Sequence, residues 1–380
     1  MEYQFISNAA DLDRACALFS REKIVGVDLE ADSMHSFREK ICLIQMACNG
    51  QAFLIDPFEM RHIDPFLDVL ENPDVVKVFH GSDFDIRSLD RDYGITVRNL
   101  FDTEIACRFL GVKERGLAAL LKTHFDIEID KRYQKVDWSR RPLKADMIAY
   151  SVMDVARLED LYRIIKNRLK EAGRLSWAEE EFQIQAQVRY EYNHTPPLFK
   201  RFKGAGRMDN RSLAVLENLL QLRLDIAEEK DRPTFKIFSN PSLKTLAEEK
   251  PATTGQMVKI KALSKKQAQM YGSRCETAIA DALALPHKEL PSYPRTRRPK
   301  KNLMVQKRIT HLKKLREDLS LSMDMEPGFL LNNAVIIGIA TANPGTVRAL
   351  ADIDQLRCWQ MEAMGEDVLK VLSHYQTQRV

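Results

Sequence analysis

The chain has 380 residues, of which 44% are hydrophobic and 29% are charged, a composition ordinary for a soluble globular protein of two or three domains. No apolar run approaches the roughly 20 residues that a membrane-spanning helix needs, so we expect no membrane segment. The first residues lack a basic stretch followed by an apolar core, which argues against a signal peptide. Six cysteines lie without CxxC spacing. They predict reduced thiols in a cytoplasmic protein rather than a disulfide frame or a zinc site.

The net charge of +4 is distributed unevenly along the chain. Residues 1–200 hold 28 Lys and Arg against 34 Asp and Glu, a net charge of −6, whereas residues 201–380 hold 30 against 20, a net charge of +10. An acidic first half suits a site that binds cations, and a basic second half suits a polyanion such as nucleic acid. The alternative is that the basic surplus only keeps the surface soluble, and composition alone favours neither.

The first 170 residues predict a mixed sheet covered by helices. The predicted strands lie at residues 23–30, 40–47, 51–57, 75–79 and 96–99. The predicted helices lie at 61–70 and 83–92, and a helical pattern then runs from 103 to about 170. The first three strands are too close together for parallel crossovers, so we expect them to pair as antiparallel neighbours. The order β-β-β-α-β-α is typical of a mixed sheet with helices packed on it.

The rest of the chain predicts two helical modules separated by linkers. Residues 190–207 combine two prolines with basic residues and glycines, and residues 286–302 hold four prolines and six Lys or Arg, so both segments predict linkers. After each linker a long helix leads into a proline-containing turn, a short helix and another proline, which indicates a duplicated module. The alternative is two unrelated bundles of similar size. We therefore expect three domains, at residues 1–195, 208–287 and 303–377.

Two carboxylates lie at the end of the predicted strand at 23–30. Asp28 and Glu30 are two residues apart, so both leave the same face of the strand while Leu29 points into the core. Burying unpaired carboxylates is costly, and a divalent cation such as Mg²⁺ offsets that cost because it prefers carboxylate and water oxygens. The alternative is an ordinary acidic pair at a solvated strand end, and the two residues taken alone favour it.

Further candidates occur in two later stretches. Asp85 opens the predicted helix at 83–92, so it lies near an end of the sheet, but Asp83 competes with it and could cap that helix without a part in catalysis. Tyr150 and Asp154 are four residues apart in a helical stretch and share one helix face. A carboxylate there can bind a metal while the phenol reaches an attacking water, or both can be surface residues. His80, before the helix, is predicted to be structural.

Taken in order, these residues resemble the three motifs of the DEDD exonuclease superfamily. Asp28 and Glu30 match its D-x-E motif on a strand. The letters FDIRSL match its second motif, an FD followed by an apolar residue and a leucine, which favours Asp85 over its acidic neighbour. Tyr150 and Asp154 match the third motif, Tyr-x-x-x-Asp.

The whole chain resembles the ribonuclease D family of that superfamily. The related histidine branch carries His five residues before the last Asp, where this chain has Ala149, so the chain resembles the tyrosine branch. The two helical modules resemble the HRDC domains of that family, and the second is the more divergent. The resemblance implies a ribonuclease H-like mixed-sheet exonuclease domain followed by two small all-α domains. It also implies 3′-to-5′ removal of single nucleotides from RNA, released as nucleoside 5′-monophosphates.

The resemblance further implies two divalent metal ions, Mg²⁺ or Mn²⁺, roughly 3.5–4 Å apart, that activate water and stabilise the leaving oxygen. We expect Asp28 to bridge both ions, and Glu30 and Asp154 to bind the first. We expect Asp85 to bind the second ion through water, and Tyr150 to orient the nucleophile. The implied partners are RNA 3′ ends, with tRNA precursors suggested by the family, and the expected working form is a monomer.

Five residues are weaker candidates for contact with the substrate. Met34, His35 and Phe37 follow the first motif and are predicted to stack on or hydrogen-bond the terminal nucleotide. The alternative is that their loop packs within its own domain. Arg140 and Arg141 are predicted to hold phosphates, with solvated surface arginines as the alternative.

Two other functions are compatible with these motifs. A DNA 3′-5′ exonuclease of the same superfamily is the first, because the 2′-hydroxyl is read by contacts outside the sheet motifs. A catalytically inactive RNA-binding scaffold is the second, and the presence of all four carboxylates and the tyrosine disfavours it.

Overall fold

The computed structural model describes residues 2–60, 62–192, 195–294 and 302–375. These residues form two compact units. The sheet unit consists of the described residues within 1–30, 41–190 and 299–380, and the helical unit consists of those within 31–40 and 191–298. The sheet unit therefore contains the second predicted helical module as well as the predicted sheet, whereas the helical unit contains the first module.

The sheet unit is built on six strands in the order β1-β4-β3-β2-β5-β6. They span Glu2–Ile6 (β1), Ile24–Ala31 (β2), Ile41–Cys48 (β3), Gln51–Ile55 (β4), Val76–Phe79 (β5) and Leu100–Asp102 (β6). β3 and β4 pair antiparallel, as their short connection predicts, whereas β1 with β4, β2 with β5 and β5 with β6 are parallel pairs. The prediction of a mixed sheet is confirmed.

Two strand predictions need correction. β1, which was not predicted from the sequence, forms the edge of the sheet beside β4. The strand predicted at 96–99 lies slightly later, because Asn99 adopts a positive φ of 54° that interrupts extended backbone, and β6 begins only at Leu100.

Helices cover both faces of the sheet. They span Ala9–Phe19 (α1), Asp64–Glu71 (α2), Asp83–Tyr93 (α3), Thr103–Phe109 (α4), Leu117–Phe125 (α5), Ala145–Val155 (α6), Leu158–Glu171 (α7) and Leu175–Ala186 (α8), with 3₁₀ turns at Pro57–Glu59 and Lys131–Lys135. Along β2, the alternate residues Val25, Val27 and Leu29 are buried in the cluster formed with α1–α3. The other face of β2 therefore turns towards α6 and α7.

The helical unit has a core built from its own residues. Its helices span Asn210–Glu229 (α9), Asn240–Glu249 (α10), Thr254–Lys259 (α11) and Lys265–Ala284 (α12), with 3₁₀ turns at Leu198–Arg201, Ala205–Arg207, Thr234–Lys236 and His287–Glu289. The linker predicted at 190–207 is wrong in part, because Phe199, Phe202 and Ala205 are buried in this core. Of the linker predicted at 286–302, residues 295–301 lie outside the described residues.

The second helical module repeats this plan within the sheet unit. Its helices span Leu303–Met323 (α13), Pro327–Leu330 (α14), Asn333–Ala342 (α15), Val347–Leu350 (α16) and Cys358–Ser373 (α17). Unlike the first module, it shares one apolar cluster with the helices of the sheet, in which Leu330 and Trp359 join Phe109 and Leu161. The division into three domains stays a prediction.

Two properties of the described residues bear on the cellular setting of the chain. Within them, no helix combines the length and the apolar character that crossing a membrane requires. All six cysteines are free thiols, and five of them are buried.

Candidate active site

β2 carries two carboxylates on the face that turns towards α6 and α7. Gly26 precedes Asp28 and Glu30 on this face, and a Cβ at Gly26 would lie 3.0 Å from Cβ of Leu158 and 3.3 Å from the carbonyl oxygen of Val155. Few side chains tolerate such close contacts with backbone, so glycine is needed for this approach. The end of α6 consequently lies against β2 beside the two acids.

α6 supplies a third carboxylate. Tyr150 and Asp154 lie one turn apart on this helix, and Asp154 is only 6% exposed. One carboxylate oxygen from each of Asp28, Glu30 and Asp154 lies within 4.8 Å of the others. Three oxygen donors so close together form a ligand set that suits a hard divalent cation.

Asp85 is the fourth acid and lies in the first turn of α3, where it is 7% exposed. The turn that begins this helix is held by Asp102 at the end of β6. The Asp102 carboxylate accepts hydrogen bonds from the backbone N–H of Gly81 at 3.0 Å and of Ser82 at 2.7 Å. These bonds fix the start of α3 and thereby place Asp85 near the carboxyl end of β5.

Asp83 has a different environment. Ser82 occupies the N-cap position of α3, so the alternative of an Asp83 cap is wrong. The Asp83 carboxylate instead accepts a hydrogen bond from Nε of Arg87 at 2.9 Å, and this bond lowers the pKa of Asp83. Of the two neighbouring acids, the structure buries Asp85 and leaves Asp83 on the surface in an ion pair.

The pKa of every carboxylate in the cluster is raised. Burial raises the pKa of Asp28 to about 7, and burial together with the charge of Asp28 raises that of Asp154 to about 8. Burial and then neighbouring negative charges also raise the pKa of Glu30 and of Asp85. No Lys or Arg among the described residues contributes to these shifts. A divalent cation bound among these carboxylates would supply positive charge and favour their ionised forms.

A cleft of about 510 Å³ opens over the carboxylates. Asp28, Glu30, Asp154 and Tyr150 line it together with residues 114 and 116–119, which lie just before α5 and in its first turn. The cleft has the volume that encloses a small ligand.

His80 also lines this cleft, and its hydrogen bonds define its tautomer. The Thr103 hydroxyl donates to the Phe79 carbonyl oxygen at 3.0 Å, so its oxygen accepts from Nδ1 of His80 at 2.9 Å. Burial lowers the pKa of His80, which favours the neutral ring. A neutral ring protonated at Nδ1 offers Nε2 as an acceptor. His80 therefore has the structural contact that was predicted, and in addition a place at the cleft.

Aromatic rings hold Tyr150 at the rim. Its ring lies 5.7 Å from that of Tyr133 and 6.2 Å from that of Trp138, and the Tyr133 hydroxyl donates to Asp146 at 3.1 Å. Burial, followed by the charge of Asp154, raises the pKa of Tyr150. Tyr150 is therefore a neutral phenol, which both donates and accepts hydrogen bonds.

Comparison with known proteins identifies the family. A family model described as 3′-5′ exonuclease matches residues 3–170, and an HRDC domain model matches residues 212–275 and 305–372. Ribonuclease D of Zymomonas mobilis is 31% identical over 296 residues, which are 76% of this chain and 75% of that relative. The chain belongs to the ribonuclease D family.

Two further comparisons extend over nearly the whole chain. Ribonuclease D of Nitrobacter hamburgensis is 28% identical over 374 residues, 98% of this chain and 95% of that relative. The crystal structure of Escherichia coli RNase D, described as an exoribonuclease involved in structured RNA processing, has a TM-score of 0.73 at 22% identity and covers 99% of this chain and 100% of its own. The predicted fold, a mixed-sheet exonuclease domain followed by helical HRDC domains, is confirmed.

Membership of the ribonuclease D family makes this chain a metal-dependent 3′-5′ exoribonuclease. The donor set fits that chemistry, because clustered carboxylates supply the oxygen ligands that hard divalent ions prefer. The duplicated helical module is confirmed as well, since one family model matches both copies.

The prediction that Arg141 holds substrate phosphate is not supported. Its five N–H groups donate to both carboxylate oxygens of Asp56 and to the carbonyl oxygens of Cys42, Trp138 and Arg140. A guanidinium has five donors in all, so none is left for a phosphate. Arg141 instead fixes the backbone around β3. Arg140 is exposed and pairs with Asp137 at 3.0 Å, and its contact with phosphate stays a prediction.

The loop that follows the first motif belongs to the helical unit. The backbone N–H of Phe37 donates to Asp231 at 3.0 Å, and its ring packs against the core of this unit. The alternative interpretation placed this loop within its own predicted domain, residues 1–195, and did not expect contact with the first helical module. The backbone N–H of His35 donates to the carbonyl oxygen of Asp32 at 2.7 Å, and Met34 is 41% exposed. Their contact with a terminal nucleotide stays a prediction.

Two residues that shape this site, Asp102 and Tyr133, were not predicted from the sequence. A local signal existed for Asp102, because the letters DTE between an apolar strand and a helix are typical of an N-cap, and Asp102 does cap α4. No comparable signal existed for Tyr133, whose contact with Tyr150 depends on how an irregular segment folds back onto α6.

Proposed function

We propose that this chain trims the 3′ ends of structured RNA precursors, with tRNA precursors as natural substrates, at a centre of two divalent ions, Mg²⁺ or Mn²⁺. The observation that carries the proposal is the buried cluster in which Asp28, Glu30 and Asp154 bring oxygens within 4.8 Å of one another. Asp85 is close enough for the charge of Asp28 to raise its pKa. A polyanionic substrate is supported by the net charge of +10 on residues 201–380.

The roles of the four acids follow from how they are arranged. We assign Asp28 to both ions, because its negative charge raises the pKa of each of the other three carboxylates. Glu30 and Asp154 join Asp28 in the close group and are assigned to the first ion. Asp85 lies outside that group and is assigned to the second ion through a water.

Two ions in this cluster would activate a water for attack on the last phosphodiester and stabilise the 3′ oxygen that leaves, so that the terminal nucleotide departs as a 5′-monophosphate. Tyr150 orients the attacking water. As a neutral phenol between two aromatic rings, it can hold a hydrogen-bonded water in place without removing its proton.

Asp85 and Asp83 provide a matched test, because they lie on one helical turn but only Asp85 is buried in the cluster. We expect Asp85→Asn to lower kcat on a 3′-extended tRNA precursor by at least about 100-fold, since it removes a metal ligand. Asp83→Asn should keep nearly full activity. Full activity of Asp85→Asn at saturating Mg²⁺ or Mn²⁺ would contradict the assignment.

The substrate is tested with the unchanged chain. We expect digestion of a 3′-extended tRNA precursor to stop with EDTA and to resume when Mg²⁺ or Mn²⁺ is restored. A DNA of the same sequence with a free 3′ end should be degraded much more slowly. Equal rates on RNA and DNA would exclude the proposed substrate, and metal-independent cleavage would exclude the proposed centre.

We further propose that the chain works as a cytoplasmic monomer of three domains, at residues 1–195, 208–287 and 303–377. Six free thiols support a reducing compartment. Light scattering should give a mass near 43.8 kDa, and a value of twice that mass would exclude the monomer. Limited proteolysis should cut first between the proposed domains.

A further inference from the structure

The second helical module is packed onto the sheet unit through an aromatic core. The ring of Phe109, at the end of α4, lies 4.8 Å from that of Phe329 and 5.1 Å from that of Trp359. Trp359 also stacks on Trp177 of α8 at 5.8 Å. Contacts of this kind between large buried rings are strong and specific in geometry. They fix the turn between α13 and α14 next to the end of α4.

That turn, residues 324–326, contacts the loop that connects α4 to α5. Gly111 begins the loop with a φ of 68°, and a Cβ on it would lie only 2.2 Å from the carbonyl oxygen of Asp324. At the other end, Arg115 donates from Nη1 to Glu326 at 2.9 Å and from Nε to Glu104 at 2.6 Å. The module therefore holds the loop at both ends.

The same loop continues into the wall of the cleft. Glu114 and Gly116, on either side of Arg115, line the cleft together with Leu117. A small displacement of Arg115 is consequently passed to residues that face the terminal nucleotide. Misplacement by about 1 Å is enough to reduce catalysis strongly when it affects how a substrate is oriented.

We propose that the second helical module positions the wall of the active-site cleft, with Arg115 and Glu326 as the positioning pair. The module thus acts on catalysis through its contact with the loop at residues 110–116, independently of any RNA that it binds. This inference rests on the proposed assignment of the cleft as the active site. It assigns no contact with substrate to Arg115 or Glu326.

Glu326 has a matched control within the same module. Glu326 is 52% exposed and pairs with Arg115, whereas Glu317 is 55% exposed and pairs with Arg316 of its own helix at 3.0 Å. Neither side chain is buried, so Glu326→Gln and Glu317→Gln should both fold. Glu326→Lys adds repulsion of Arg115 and provides a graded second variant.

Two measurements on the full chain separate the possible outcomes. The first is kcat and KM on a four-nucleotide RNA and on a long structured RNA. The second is hydrogen exchange of the backbone amides at residues 112–119, which needs no catalysis. For Glu326→Gln we expect kcat to fall about three- to five-fold on both RNAs, the size that one half-exposed ion pair allows, with KM unchanged. Exchange at 112–119 should rise by a similar factor, and Glu326→Lys should have the larger effects.

Each other result overturns the inference. Exchange at 112–119 equal to that of Glu317→Gln means that the module does not hold the loop. Faster exchange with unchanged kcat means that the loop does not control catalysis. A fall in kcat that is confined to the long RNA means that Glu326 contacts RNA. Failure of the metal-site assignment shows separately, as retained activity of Asp85→Asn, while the exchange result still stands.

Discussion

The two helical modules match one family model and follow one plan, yet they bury their apolar faces differently. In the first module α12 begins with its own capping box, in which Ser264 and Gln267 satisfy each other's backbone N–H groups. In the second, Gln360 of α17 likewise accepts from the backbone N–H of Arg357, but the first N–H groups of the helix, on Cys358 and Trp359, donate to Glu180 of α8, both at 2.7 Å. The core of the first module lies wholly within the helical unit, whereas the second module shares its core with the sheet. Membership of a domain family therefore does not determine whether a helical module shares its core with the nuclease sheet.

The largest expected loss of stability comes from replacing one fully buried aromatic residue in each module. Trp359→Ala should lower the free energy of unfolding of the sheet unit by about 3–5 kcal/mol, because it removes the shared core. Phe238→Ala should cost a similar amount in the helical unit, with activity on a four-nucleotide RNA preserved. The measurement is urea unfolding followed in parallel with residual activity. Equal losses of activity in both variants would contradict the conclusion that only the second module shares a core with the sheet.

The second test concerns metal and pH, which should act on the sheet unit alone. Asp28 and Asp154 have raised pKa values of about 7 and about 8, so between pH 4 and 8 the folded state binds more protons than the unfolded state. Without metal, the stability of the sheet unit should therefore fall as the pH rises through this window. At pH 8, Mg²⁺ or Mn²⁺ at 100 times its Kd should restore about 2.7 kcal/mol.

Thermal unfolding at several pH values, with EDTA and with metal, checks this second prediction. Asp28→Asn is the control, because it should abolish the stabilisation by metal. A metal-dependent rise in Tm of equal size in the helical unit would show that the metal binds outside the carboxylate cluster.

A third and smaller loss of stability is expected when the acceptors at two helix N-termini are removed. Glu180→Ala should cost about 1 kcal/mol in the sheet unit, because two N–H groups of α17 lose their acceptor. Asp209→Ala removes the cap of α9, where it accepts from Arg211 and Ser212, and should cost about the same in the helical unit only. Differential scanning calorimetry should assign each loss to one transition. If Glu180→Ala leaves the sheet unit unchanged, α17 does not depend on its neighbour.

The smallest change in stability is expected when an exposed ion pair is broken. Arg274→Gln breaks the pair with Glu229 on the surface of the first module and should change stability by less than about 1 kcal/mol. Activity on a four-nucleotide RNA should not change. Glu326→Gln also breaks an ion pair that is partly exposed. Comparing kcat of Glu326→Gln with that of Arg274→Gln therefore shows whether the location of the pair, rather than its strength, decides the effect on catalysis.

Local patterns in the sequence were sufficient for much of this structure. The alternation along β2 predicted that Asp28 and Glu30 share a face, and the four-residue spacing placed Tyr150 and Asp154 one turn apart on α6. The resemblance to ribonuclease D selected Asp85, and burial of that residue agrees with the choice.

The features that were missed depend on contacts between distant segments. β1 is recognised only through its pairing with β4, some 50 residues later. The five donors of Arg141 are satisfied by acceptors whose positions no local pattern reveals. The burial of Trp359 against Phe109 likewise joins two segments that lie far apart in the sequence. Short-range periodicity carries no information about which surfaces meet.

The tryptophans have a practical consequence for studying this chain. The sequence holds three, Trp138, Trp177 and Trp359, and each lies in the sheet unit. The helical unit absorbs near-ultraviolet light through tyrosine and phenylalanine only. Indole emission is therefore a built-in optical reporter of one unit, and it can follow the folding of that unit in the intact chain without any added label.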